Sequence, residues 1–99
     1  MITRVVQMHF AAEGVKLFSE LFKKHRVAMA SVEGCLSLEV FSVADKPFSY
    51  ATISKWQSPE HLENYRQSEL FNTIWKKIKP YFASKAEAFT LIEITGELY

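Results

Sequence analysis

The sequence predicts an α+β, ferredoxin-like fold, β-α-β-β-α-β, with an antiparallel sheet and its helices on one face. Three observations carry this. Two alternating segments, 35–43 and 48–56, are joined by Asp45-Lys46-Pro47, which is turn chemistry. A long apolar stripe of helical period precedes them. A second helical stretch, opening on Ser58-Pro59-Glu60, follows them. One strand at each end completes the order.

Residues 2–10, ITRVVQMHF, form the first strand. Val5 and Val6 are β-branched, and apolar residues occupy both alternating faces, as in a strand covered on both sides. Ile2, Arg4, Val6, Met8 and Phe10 share one face; Thr3, Val5, Gln7 and His9 share the other. Over residues 12–30, Val15, Phe18, Leu21, Phe22, His25, Ala28 and Met29 recur at spacings of three and four, giving a helix that Gly34 separates from the next strand. Segment 35–43 alternates strictly. Leu36, Leu38 and Val40 oppose Cys35, Ser37, Glu39 and Phe41. In 48–56, Phe48, Tyr50, Thr52, Ser54 and Trp56 share a face. Ser58 is an N-cap, with Pro59 at the first helical position and Glu60 in the first turn. Leu62, Tyr65, Phe71, Ile74, Trp75, Ile78 and Phe82 continue the period; Ser68-Glu69 marks a break, and Pro80 kinks or ends the helix. Residues 88–95 form the last strand.

The 99 residues suffice for a single domain, 1–99. An apolar content of 48% against 23% charged residues excludes a disordered chain. A net charge of +1 supplies no field for nucleic acid or an anionic membrane, and no apolar run approaches the roughly 18 residues of a span. Cys35 stands alone, which rules out an internal disulfide and suits a reducing cytoplasm. With 3 glycines there is no dinucleotide fingerprint, P-loop or nucleophile elbow. His9, His25 and His61 are widely spaced, and no metal site is expected. Aromatic residues, however, reach 14%, more than a small core absorbs, so the surplus lines a pocket or an interface. Because helices cover only one sheet face while the first strand and the hairpin are apolar on both, the other face calls for a second copy. A two-fold homodimer packed sheet to sheet is the expected partner arrangement.

The candidate site residues are Gln7, His9, Trp56, Tyr65 and Trp75, with His25 beside them. If the face carrying Gln7 and His9 meets the helices, both are buried polar groups that need partners, and a bound ligand can be one. His25, between Leu21 and Met29, is either a satisfied buried histidine or an acid–base group, since an unperturbed pKa near ~6.5 suits proton transfer. Trp75, between Phe71 and Ile78, serves core packing or pocket lining. Cys35 is expected to be inert packing, and Arg66 to pair with a nearby Glu.

Gly34-Cys35-Leu36 opening the second strand, and Trp56-Gln57-Ser58 leading into His61-Leu62-Glu63-Asn64-Tyr65-Arg66-Gln67-Ser68-Glu69-Leu70-Phe71, resemble the antibiotic biosynthesis monooxygenase (ABM) domain of the dimeric α/β barrel superfamily. The resemblance covers almost the whole chain. It implies a dimer with facing sheets and, in each protomer, an apolar pocket between sheet and helices. Some members oxidise polycyclic phenols with O2 and neither metal nor flavin; others degrade haem, or isomerise or detoxify small metabolites. The haem-degrading branch has an Asn on the first strand, a Trp on the helix after the hairpin and a haem-ligating His two turns on. Gln7, Tyr65 and Trp75 stand at those positions here, and tryptophan cannot ligate iron. The expectation is a cofactor-independent monooxygenase for a small phenol- or quinol-type aromatic, with His9 and His25 as candidate acid–base residues and Gln7, Trp56, Tyr65 and Trp75 around the substrate. The alternatives are a small-metabolite-binding dimer without this chemistry and a haem-degrading enzyme.

Overall fold

A computed structural model describes residues 1–94 and Gly96. The elements run β1 (Ile2–His9), α1 (Gly14–Ala30), β2 (Cys35–Val43), β3 (Lys46–Trp56), α2 (Pro59–Arg66), α3 (Glu69–Ile78), a 3-10 turn (Lys79–Tyr81) and β4 (Glu87–Ile92). The strands form one antiparallel sheet in the order β2-β3-β1-β4, the ferredoxin-like arrangement. β1 sits inside it, paired with β3 from Ile2↔Trp56 to His9↔Ser49 and with β4 from Ile2↔Ile92 to Gln7↔Glu87.

The helices cover one sheet face. Met8, Phe10, Phe18, Leu21, Phe22, Met29 and Ile78 form the main core between these layers, and Ile2, Trp56 and Leu62 form a smaller cluster at the other end. It is therefore the Ile2-Arg4-Val6-Met8 face of β1 that meets the helices. The opposite face carries Val5, Gln7 and His9 away from them. Phe41, Phe89 and Leu91 are each about half exposed (45%, 46% and 51%), so the sheet leaves large apolar side chains uncovered.

Local chemistry explains the helix boundaries. Ser58 Oγ accepts from His61 N at 3.2 Å and starts α2. Ser68 Oγ donates to the Tyr65 carbonyl at 2.6 Å and accepts from Phe71 N at 3.2 Å, so one hydroxyl closes α2 and opens α3. Pro80 ends the helix as a 3-10 turn rather than kinking it. Gly34 has φ +85°, and a Cβ there would collide with the imidazole of His61, so the turn before β2 packs against α2 only with glycine.

Three departures from the sequence reading have physical causes. α1 begins at Gly14, not residue 12, because Gly14 N donates to Ala11 O in a preceding turn. The strict alternation of 35–43 is broken: Cys35 pairs with Trp56 and Ser37 with Lys55, so Leu36 is an extra, bulged residue. Cys35 and Leu38 thereby share the helix-facing side while Leu36 is half exposed. β4 ends at Ile92, where its partner strand ends at Ile2; Glu93 and Ile94 lie past the ladder, and Thr95 lies outside the described residues.

Candidate functional site

Between the inner sheet face and the helices lies a cavity of about 250 Å³. β1 contributes Arg4, Val6 and Met8; β3 contributes Thr52, Ser54 and Trp56; β2 contributes Cys35 and Leu38. The opposing wall comes from α1, α2 and α3 and includes Leu21, Phe22, Met29, Leu62, Tyr65, Arg66, Phe71, Ile74 and Trp75.

The aromatic residues form a continuous chain along this wall. Trp56 stacks on Tyr65 with centroids 5.1 Å apart, and Tyr65 meets Phe71 edge-on at 5.3 Å. Phe71 stacks on Trp75 at 5.6 Å, and Trp75 meets Phe82 edge-on at 5.4 Å. These are the offset and edge-to-face geometries aromatic quadrupoles favour, and they hold the rings as a fixed surface. Trp56 is fully buried and donates its indole N–H to Ser54 Oγ at 2.9 Å, which fixes the ring plane.

The polar groups on the lining are the Arg4 and Arg66 guanidiniums, the Tyr65 phenol, the Cys35 thiol and the Thr52 and Ser54 hydroxyls. Burial pushes the Tyr65 phenol up to about 12, with the neighbouring Cys35 sulfur adding to the shift, so at neutral pH it donates a hydrogen bond and does not act as a base. Burial also raises the Cys35 thiol, against the pull of its contact with the Ser37 carbonyl at 3.6 Å. Such a thiol stays protonated and unreactive. Arg4 Nη1 donates to Thr90 Oγ1 at 3.1 Å, and Arg66 Nη1 donates to Glu63 Oε2 at 3.0 Å. Burial, and next the Arg66 guanidinium, hold Arg4 below the ordinary arginine value, while Glu63 pulls it back up.

Of the six residues singled out in the sequence, Trp56, Tyr65 and Trp75 come together on the cavity wall. Gln7 and His9 do not reach it, because β1 turns its other face to the helices. His9 instead bridges strands on the outer face, with Nδ1 2.7 Å from Ser49 Oγ and Nε2 3.0 Å from Glu87 Oε1. His25 is also absent from the lining; Phe18, Leu21, Phe22 and Met29 present α1 to the cavity. Its Nε2 is buried without a hydrogen-bond partner among the described residues. Among those residues, no three His, Cys, Asp or Glu side chains come close enough to hold a metal ion.

Sequence reasoning missed Arg4, Arg66 and Cys35 as lining residues. Arg4 had left a signal, as the charged residue within the Ile2-Val6-Met8 face. Arg66 does pair with a Glu, as expected, yet also borders the cavity. Cys35 was hidden by the bulge, which alternation alone does not reveal.

The model of the family described as Antibiotic biosynthesis monooxygenase matches residues 1–77. The chain belongs to the ABM family. Solved structures agree with the ABM fold. A crystal structure of an antibiotic biosynthesis monooxygenase superposes with a TM-score of 0.89 at 15% identity, covering 96% of this chain and 100% of that one. Rv0793 from Mycobacterium tuberculosis gives 0.86 at 11% identity, covering 97% of each chain. A conserved protein from Methanosarcina mazei Go1 gives 0.84 at 21% identity, covering 92% of this chain and 91% of its own. At such identities the likeness establishes the fold of this ABM domain. Among curated proteins, none matches it. Among the described residues, no helix is long and apolar enough to cross a membrane.

Proposed function

We propose that this ABM domain, acting as a single unit over residues 1–99, is a cofactor-independent monooxygenase for a small phenol- or quinol-type aromatic. The observation that carries this reading is the Trp56–Tyr65–Phe71–Trp75 wall on a largely apolar cavity that also holds the Tyr65 phenol. The substrate ring stacks against the wall, and its ionised oxygen accepts from the Tyr65 hydroxyl. The cavity excludes water and holds the anion in an electron-rich form. The anion then gives an electron to O2, and the radical pair combines at carbon. The resulting peroxide loses water to leave a carbonyl. One oxygen atom enters the product and the other leaves as water, with all four electrons supplied by the substrate.

Among the described residues the lining contains no His, Asp or Glu, and in this reading the substrate proton departs to bulk solvent rather than to a side-chain base. The same observation favours a second reading, a dimer that holds an aromatic metabolite without turning it over. A haem-degrading role does not fit: no histidine lines the cavity to ligate iron, and Gln7 faces away from it. The half-exposed Phe41, Phe89 and Leu91 support a homodimer with facing sheets, and the single unpaired cysteine suits the cytoplasm.

An oxygen electrode with an anthrone as probe separates the two readings. The monooxygenase consumes one O2 per anthrone converted to anthraquinone. Tyr65→Phe is expected to lower kcat by about tenfold to a hundredfold through loss of the oxyanion donor. Binding of the anthrone with no oxygen uptake beyond the buffer rate would leave the binding dimer standing.

A further inference from the structure

We infer that Arg4 and Arg66 form an anion subsite at the cavity rim, and that the ligand is an aromatic carboxylate whose ring lies on the tryptophan–tyrosine wall. This rests on the cavity being the ligand site and adds the class of ligand it takes.

Arg4 is a charged residue on an otherwise apolar strand face. It sits on the helix-facing side of β1 among Ile2, Val6 and Met8, part-buried, so its guanidinium lines the cavity while still reaching solvent. Among the described residues its one side-chain hydrogen bond goes to a neutral hydroxyl, Thr90 Oγ1, at 3.1 Å. A guanidinium carries five N–H donors, so most of them are open to water or to a ligand. Arg66 borders the same cavity, close enough to disfavour the charge on Arg4. The nearby carboxylate, Glu63, is bonded to Arg66 at 3.0 Å and lies outside the lining. Two cations thus share one carboxylate, and these three side chains together carry a net positive charge beside the cavity that solvent offsets until an anion binds.

A monoanion balances that charge. Guanidinium groups bind carboxylates through paired, planar N–H contacts. The rest of the lining is largely apolar, and its stacked Trp56, Tyr65, Phe71 and Trp75 rings favour an aromatic group behind the carboxylate. A dianionic phosphate would overcompensate the rim, and a neutral aromatic would leave Arg4 unpaired.

The test is a titration of the full chain, followed by quenching of Trp56 and Trp75 fluorescence, with 1-naphthoate, 1-naphthalenemethanol and 1-naphthylmethylammonium. Naphthoate is expected to bind about tenfold or more tighter than the alcohol, as a charge-assisted contact is worth that much, and its affinity falls as salt rises. The ammonium compound binds most weakly. Arg4→Gln and Arg66→Gln each weaken naphthoate binding about tenfold while the alcohol titration, which doubles as a control for folding, stays unchanged; Arg4→Lys keeps part of the preference. Equal affinity for the acid and the alcohol, or parallel loss of both in the Gln variants, overturns the subsite and leaves the cavity reading intact. Failure of every naphthyl probe to bind the unaltered protein overturns both.

Discussion

Tyr65 joins two aspects of the site in one side chain. Its ring stacks on Trp56 and lines the cavity, and burial pushes its ionisation from 10.0 to about 12. The folded state therefore holds this proton more tightly than the unfolded chain does. Its contribution to stability is complete below pH ~10 and is lost as pH rises toward ~12. Urea unfolding at a series of pH values should show the protein losing up to about 2 kcal/mol more than Tyr65→Phe over that window, with parallel behaviour below it. Parallel curves throughout would mean that the phenol is better solvated than the packing indicates. At this scale the sequence was partly legible. The aromatic wall residues stood out because large rings at helical spacing are conspicuous. Arg4 did not, because a charged residue in a strand reads as solvent-facing until its face is known. Gln7 and His9 drew attention as polar groups in an apolar strand, yet the choice between two apolar faces is made by tertiary packing alone.

The helix pair α2–α3 positions the wall, and one serine controls its bend. Ser68 Oγ bonds the Tyr65 carbonyl at 2.6 Å and caps α3 at Phe71 N, so it sets the angle between the helix carrying Tyr65 and the helix carrying Phe71 and Trp75. Ser68→Ala should cost about 1–2 kcal/mol, at the upper end for a cap because two contacts go together. Ser58→Ala, which removes a cap further from the aromatic junction and also loses two contacts, to His61 N at 3.2 Å and His61 Nδ1 at 2.7 Å, should cost a similar ~1–2 kcal/mol. Guanidinium chloride unfolding measures both, and only the Ser68 variant should also disturb the near-ultraviolet circular dichroism of the stacked rings. Breaks of this kind can be read from sequence, since a cap is local chemistry. The bulge at Leu36 could not be: it depends on how β2 registers with β3, which no residue within β2 reveals.

The described residues form two layers, about 20 Å through the thin dimension, with the helices among them on one side of the sheet. Apolar patterning on both faces of β1 and the hairpin makes this asymmetry legible in the sequence, and the element order implies the topology. The outer face now has named occupants. Phe41 and Phe89 sit on opposite edge strands, and Val5 and Ile53 pair between them. If two copies meet here, Phe89→Lys or Phe41→Lys places a charge in the seam. Light scattering coupled to size exclusion should then show a monomer where the unaltered chain gives a dimer. The cavity lies on the other side of the sheet, so a monomer that still quenches with 1-naphthoate would show that each protomer binds alone.

The interrupted register of β2 matters beyond the placement of Cys35. β2 is an edge strand, and its ladder shifts twice, between Cys35 and Ser37 and again between Ser42 and Val43. A straight edge offers free N–H and C=O groups to any passing strand and invites sideways growth into filaments. Two dislocations break that template. Removing Leu36 would leave Cys35 and Leu38 on their present side and erase one of the two dislocations, giving a longer regular stretch of edge, as far as Ser42, on which another strand could grow. The residue that looks superfluous in the strand is a safeguard against polymerisation.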